Sequence, residues 1–185
     1  MHRKLSENAR AYLEEFQAIL CAMEQGMTTP ELTDSISHNF IVQMIPHHQA
    51  AINMSQNILK YTTCTPLEKI AADIIKEQTE SICQMEQALD VCAQCKNSER
   101  ALCAYQNRFE QIINTMFRGM SSAPCTNCLD ADFMREMIPH HLGAIHMSEN
   151  ALRFSICPEL CPILEAIITS QKRGVQQMRR LLACM

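Results

Sequence analysis

The sequence predicts an all-α protein, a helical bundle made of two tandem three-helix repeats. Three observations carry that expectation. Glycine is scarce, with 4 in 185 residues, while 47% of the chain is hydrophobic, so a sizeable core is available and flexible loops are few. Apolar residues recur at helical spacing over long stretches separated by short breaks at Pro30, Pro66, Pro124, Pro158 and Pro162, which leaves little room for strands. Sliding the chain against itself by 93 residues pairs 29 identical residues in 92 positions without a gap. The pairs include Tyr12/Tyr105, Phe16/Phe109, Met23/Met116, Gly26/Gly119, Met27/Met120, the whole of MIPHH at 44–48 and 137–141, Met54/Met147, Cys64/Cys157, Gln78/Gln171 and Met85/Met178. Residues 1–185 therefore read as a single domain with repeats at about 1–92 and 94–185.

Each repeat reads as three helices. The first, at about 5–25, places Leu5, Ala9, Tyr12, Phe16, Ile19, Leu20 and Met23 on one face. The second runs over about 35–61, and the third from Pro66, a favourable first-turn proline, to about 90. Repeat two mirrors this at about 100–118, 130–154 and 158–184. Six amphipathic helices with short connections make a bundle.

Composition excludes some functions. A net charge of −4 offers no basic footprint for nucleic acid. The charge is uneven: 6 Lys/Arg against 12 Asp/Glu in 1–92, and 10 against 8 in 93–185, giving −6 and +2; solvated faces are the ordinary explanation. No stretch approaches the roughly 20 uninterrupted apolar residues of a membrane span, and MHRKLSENARAYLEEF lacks the apolar core of a secretory signal. The expected location is cytoplasmic, or exported if a leader has been trimmed. Eleven cysteines in that context point to reduced thiols, and their odd number excludes complete internal pairing.

The repeated MIPHH motif carries the chemistry. With Met44 as zero, His47, His48, Ala51 and Met54 fall at about −60°, +40°, −20° and −80°, one face of a helix. Gln49, Asn53, Gln56, Asn57 and Lys60 fall on the opposite side. On the third helix Gln78 lies mid-stripe among Leu67, Ala71, Ile74, Ile75, Ile82, Met85 and Leu89, and Gln171 holds the same place in repeat two. A buried amide needs partners, and an imidazole N–H on the neighbouring helix is a suitable one. Pro46 and Pro139 remove a helical N–H, so the helix should either kink there or restart.

A single histidine on an apolar face is ordinarily a satisfied core residue, and methionines at helical spacing ordinarily fill gaps. Four histidines in two adjacent pairs, each flanked by methionine, instead call for a bound cation, because desolvating neighbouring imidazoles needs compensation. Thioether suits Cu(I) and, by the same softness, Ag(I). Hard-metal sites need several carboxylates; Glu136 is the exception on these faces, its repeat-one counterpart is Gln43, and no Glu-x-x-His pair occurs.

The pattern F-x3-MIPHH-x2-A-I-x-M, at 40–54 and again at 133–147, followed by helices carrying Gln78/Met85 and Gln171/Met178, resembles the ferritin-like family catalogued as domain of unknown function 305. The resemblance covers nearly the whole chain. It implies a ferritin-like four-helix bundle of the two histidine helices and the two Gln/Met helices, with additional helices packed around it. Family members are often exported, and some look like copper-binding proteins using Met and His. The metal-ligand set the resemblance carries over is Met44, His47, His48, Met54, Met85, Met137, His140, His141, Met147 and Met178. Ser81 and Gly174 stand where the family usually has Glu, which weakens an enzymatic reading. The expected lack of a leader, unless one has been trimmed, and the wealth of cysteine also depart from the family.

Among the cysteines, Cys92-x2-Cys95 and Cys125-x2-Cys128 have metal-knuckle spacing, with Cys157-x3-Cys161 close to it. Alternating helices would bring Cys92 and Cys95 to the same bundle end as Cys157 and Cys161, with Cys103 nearby, and leave Cys125 and Cys128 at the other end with Cys64. A thiolate cluster at one end admits Cu(I) or zinc; unremarkable reduced thiols, small hydrophobes in the core and at helix ends, are the alternative, and Cys21 and Cys83 fit that class best. Met23, Met27, Met116 and Met120 are core residues by default and become extra soft donors if the first helix closes over the histidine face. His146 is expected on the surface, and His38 and His2 carry no special signal.

The reading is a non-enzymatic, soft-metal binding protein, taking Cu(I) with Ag(I) as its chemical equivalent, for buffering, storage or delivery. A ferritin-like metalloenzyme with a redox metal site and a metal-free interaction module with pH-sensitive histidines are the alternatives. Its partners are metal ions rather than nucleic acid or membrane; homo-oligomerisation and protein partners stay open.

Overall fold

The computed structural model describes residues 4–185; His2 lies outside them. Six helices follow one another: α1 (Glu7–Thr28), α2 (Ile36–Ile58), α3 (Thr65–Cys92), α4 (Glu99–Ser121), α5 (Leu129–Ala151) and α6 (Leu160–Leu182). No strand occurs among the described residues. Local chemistry sets several starts. Ser6, Ser35 and Ser98 each accept a hydrogen bond from the backbone N–H three residues on, capping α1, α2 and α4, and Pro66 occupies the first turn of α3.

Helices α2, α3, α5 and α6 form a four-helix bundle, with α1 laid against α2 and α4 against α5. Consecutive helices alternate in direction, so the α1–α2, α3–α4 and α5–α6 connections meet at one end. Asn97 ties the three together: its backbone N–H donates to Asp34 O, its side-chain oxygen accepts from Ile36 N, and its Nδ2 donates to Ser155 O. At the opposite end Asn127, between α4 and α5, holds Ser6 N and Lys4 O.

Both motif prolines lie inside unbroken helices, so the helix does not restart and the histidines stand mid-helix rather than in a first turn. Their rings fit because glycine faces them. A Cβ added at Gly26 would lie 2.6 Å from Pro46 Cβ, and one at Gly119 2.9 Å from Pro139 Cβ, so the glycines let α1 and α4 close onto α2 and α5.

Asn57 departs from its expected outward position. It is fully buried, and its Nδ2 donates to Tyr12 O, just as Asn150 Nδ2 donates to Tyr105 O. Helix α2 has a second buried side, because α1 covers the face opposite the histidines. Cys21 and Cys83 are also exposed rather than in the core. Met116 packs on Gly143, on the α4 side of α5, so it fills core space and does not join the histidine face.

The Gly–Pro contacts predict that Gly26→Ala destabilises the fold by about 1–3 kcal/mol through overpacking against a rigid ring, and that Gly119→Ala costs less, its clash being milder. Urea midpoints of the two variants check both the loss and its order.

Candidate metal centre

The two MIPHH motifs meet at the bundle centre. The His47 and His140 rings are stacked, with centroids 3.7 Å apart and planes at 27°. Each is followed by its neighbour in the same geometry: His48 from His47, and His141 from His140, at 5.9 Å and 53°. The equal values mark a local twofold through the stack, relating one repeat to the other. All four rings are buried. They form one contiguous group rather than two remote pairs.

Burial fixes their protonation. Desolvation lowers every one of the four, to about 3 for His48 and about 4 for His140, and well below the usual value for His47 and His141, where neighbouring imidazoles add to the effect. Neutral imidazole is the form that binds metal. His140 Nε2 lies 3.1 Å from His47 O; a carbonyl only accepts, so Nε2 carries the proton and Nδ1 keeps its lone pair. That Nδ1 has no partner, and the same holds for His48 Nδ1, His141 Nδ1 and both nitrogens of His47. Each unsatisfied buried group costs on the order of 1–3 kcal/mol, and a coordinated cation would relieve it.

The sequence-predicted methionines Met44, Met54, Met85, Met137, Met147 and Met178 all lie in the same core, each at most 1% exposed. Met44 precedes His48 by four residues on α2, and Met137 precedes His141 by four on α5, so each sulfur shares its histidine's face. On the third helices the partner residues are different from those expected. Ser81 Oγ is 3.1 Å from His48 Nε2, and Gly174 abuts His141, where an added Cβ would lie 2.9 Å from Cδ2 and Nε2. Met85 and Met178 stand one turn beyond Ser81 and Gly174. The expected amide–imidazole bonds are not formed: Gln78 Oε1 and Gln171 Oε1 are buried without partners. Among the described residues no group of three or more His, Cys, Asp or Glu side chains is arranged as a finished metal site, so ligation needs the thioethers or local ring rotation.

Access is unequal. A cleft of about 200 Å³ between α3 and α6 reaches His48 past Gln78, Ser81 and Gln171, with Glu77, Glu80 and Arg173 among its lining. The symmetric space at His141 is only about 10 Å³, consistent with the close approach of Gly174.

One polar pair was not foreseen. Tyr12 OH donates to Glu136 Oε2 at 2.5 Å, in the place where Tyr105 OH donates to Gln43 Oε1 at 3.4 Å. Burial, with Asp132 adding, pushes Glu136 up to about 8 against the opposing Tyr12 bond. The Tyr12/Tyr105 identity at the repeat offset was the visible signal for it. Asp132, the other buried carboxylate among the described residues, accepts from Thr126 N and Oγ1 and so braces the start of α5.

The sulfurs divide between ends. Cys92 and Cys157 are buried, and the Cys157 thiol, which donates to Glu159 Oε2 at 2.8 Å, has Cys92 and Cys95 as neighbours. Burial, with the Glu159 carboxylate beside it, pushes the Cys157 thiol strongly up. Cys103 is exposed and accepts from Asn107 within its own helix, outside that group. Cys125 and Cys128 are exposed in the α4–α5 connection.

Fold and centre together define a duplicated six-helix protein whose bundle core holds paired histidines and methionines. The chain belongs to the family described as Domain of unknown function (DUF305), whose profile matches residues 21–89 and 37–182. It is similar to CopM in its Ag-bound form obtained by soaking, at 25% identity and a TM-score of 0.59, over 80% of this chain and 96% of that one. CopM in its Cu(II)-bound form matches at 26% identity and a TM-score of 0.58, over 80% and 95%. A DUF305 fragment from Deinococcus radiodurans shares the fold at 24% identity and a TM-score of 0.60, over 84% and 100%. No curated protein matches the chain.

Two stability predictions follow from the buried titratable groups. The metal-free fold keeps its imidazoles neutral while the unfolded chain protonates them near 6.5, so the unfolded state binds more protons below that value. Stability then falls as pH drops from about 6.5 toward 4, by up to about 1.4 kcal/mol per pH unit per histidine. Glu136, raised from 4.5 to about 8, acts oppositely, since its folded form holds the extra proton, but it is one group against four. Urea midpoints should therefore be clearly lower at pH 5 than at pH 7; equal midpoints would contradict the assignment. Separately, Glu136→Gln, which copies Gln43, should stabilise the protein at pH 7 by about 3 kcal/mol, a gain that disappears below about pH 4.5.

Proposed function

We propose that this chain binds a soft monovalent metal ion, Cu(I) with Ag(I) as its chemical equivalent, through the histidines and methionines of the duplicated motif, and that it serves in copper buffering, storage or delivery. One observation carries the reading: five buried imidazole nitrogens without partners gather around the His47–His140 stack in a core that also holds the six methionines. Neutral nitrogen and thioether donors in a nearly carboxylate-free interior suit a soft cation of low charge. The structures of CopM with silver and with copper bound, built on the same fold, support it.

His47, His48, His140 and His141 would ligate directly, with Met44, Met54, Met137 and Met147 on the same helices and Met85 and Met178 across the bundle. The cleft at His48 is the route of exchange with solvent. At its mouth Glu77 pairs with Arg173 and Glu80 lies beside Lys76, and Ser81 orients the ring it meets.

The proposed role is not catalytic. A carboxylate-bridged redox pair needs acidic ligands facing the centre, and here Ser81 and Gly174 occupy the positions that approach His48 and His141. The two buried carboxylates, Asp132 and Glu136, are engaged by Thr126 and Tyr12. No described helix is long and apolar enough to cross a membrane.

Anaerobic titration with Ag(I) or Cu(I), read by NMR, tests the reading directly. Addition of the ion should shift the methyl resonances of Met44, Met54, Met137 and Met147 and the imidazole nitrogens of the four histidines. The combined Met44→Leu and Met137→Leu change, which removes thioethers at nearly constant volume, should weaken binding at least tenfold in chelator competition. Resonances that stay fixed through saturation would refute the site.

A further inference from the structure

The end of the bundle opposite Asn127 gathers four cysteines from two connections far apart in sequence. Cys92 closes α3 and Cys95 follows it by three residues, while Cys157 precedes α6 and Cys161 lies in its first turn. Backbone and side-chain bonds fix both segments to one frame. Ser35 Oγ donates to Cys92 O at 2.7 Å, Cys157 N donates to Ser37 Oγ at 2.8 Å, and Asn97 joins the three connections. The frame sets Cys157 beside Cys92 and Cys95. Cys92 and Cys157 are wholly buried, and Cys95 and Cys161 are half-exposed beside them.

We propose that Cys92, Cys95, Cys157 and Cys161 form a second metal site, separate from the histidine–methionine centre, that takes a thiophilic cation, Cu(I) or Zn(II). Three features argue for it. The Cys92–Cys95 spacing lets two sulfurs of one turn reach a common ion, and the second segment contributes from across the end. The sulfurs are adaptable: Cys95 Sγ points to Val91 O at 4.0 Å and Cys161 Sγ to Cys157 O at 3.8 Å, contacts weak enough for a single side-chain rotation to exchange them for a metal bond. Among the described residues these thiols do not surround a common point, so binding requires that rotation. Glu159, whose Oε2 accepts from the Cys157 thiol at 2.8 Å, offers a further oxygen to a zinc ion. On binding, each ligating thiol releases its proton to solvent as its sulfur forms the metal bond.

The local twofold sharpens the assignment. At the other end Cys64 holds the place of Cys157, but the place of Cys92 is taken by Met185, which is 57% exposed. The Cys92–Cys157 pair therefore has no thiol pair at the symmetry-related positions, so it is not a by-product of the duplication.

The experiment is anaerobic titration of the whole chain with Cu(I) and, in a second arm, with Cd(II) as a spectroscopic stand-in for Zn(II), following the ultraviolet charge-transfer band that only thiolate ligands give. A saturable band in either arm is expected, the arms separating the two ions. Its affinity should fall at least tenfold in Cys95→Ser and in Cys161→Ser, both half-exposed positions that leave the core intact, and stay unchanged in Cys125→Ser/Cys128→Ser. Absence of a band in both arms, a band lost only on changing Cys125 and Cys128, or thiol counts showing Cys92 joined to Cys157 as a disulfide would overturn it. The thiolate band and the histidine and methionine resonances report different ligands, so either site can fail without the other.

Discussion

The stack of His47 on His140 is the contact on which the rest of the molecule turns. Two imidazoles 3.7 Å apart, cut off from water, tolerate each other only while uncharged, and desolvation keeps them so. Because the stack lies on the local twofold, each repeat must deliver its motif mid-helix and at the same depth. Helices α2 and α5 are consequently buried on nearly every side: histidine and methionine face the bundle, and Asn57 or Asn150 faces the neighbouring first helix. A helix buried all round needs cover on all sides, which is what α1 and α4 provide and why the repeat has three helices rather than two.

Duplication gives symmetry, and substitution has removed it where chemistry is accessible. Ser81 against His48 becomes Gly174 against His141, an open cleft becomes a closed one, and Gln43 under Tyr105 becomes Glu136 under Tyr12. The backbone pairing survives these changes because its fixed points, the Gly–Pro contacts and the Asn–Tyr bonds, are common to both halves.

The unpartnered nitrogens and amide oxygens of the centre are a cost that hydrophobic burial elsewhere offsets. Long apolar faces on α1, α3, α4 and α6, joined in one core with the methionines, supply the surplus. The ion pairs contribute little by comparison. Lys96–Asp34 and Arg173–Glu77 link the repeats, but most of these side chains are about half exposed, and such pairs are worth little in water. The unequal charge of the halves thus has only a small structural counterpart.

Helix number, order and approximate limits were legible because each helix carries its own periodicity and each break its own proline or cap; the 93-residue repeat then implied two like halves. The inward placement of the histidines and methionines was legible for the same reason, since direction around one helix is local arithmetic. The position of Asn57 was not, because it depends on a second helix covering the far side of α2. Nor were the Tyr12–Glu136 bond, the replacement of Gln78 by Ser81 as partner of His48, or the unequal clefts: each joins residues on different helices at distances fixed by packing. The sequence by itself determined which residues a helix presents together. Only the tertiary structure decided that His47 meets His140, so that two motifs 93 residues apart became one centre, because the relative depth and rotation of two helices are set by everything packed around them.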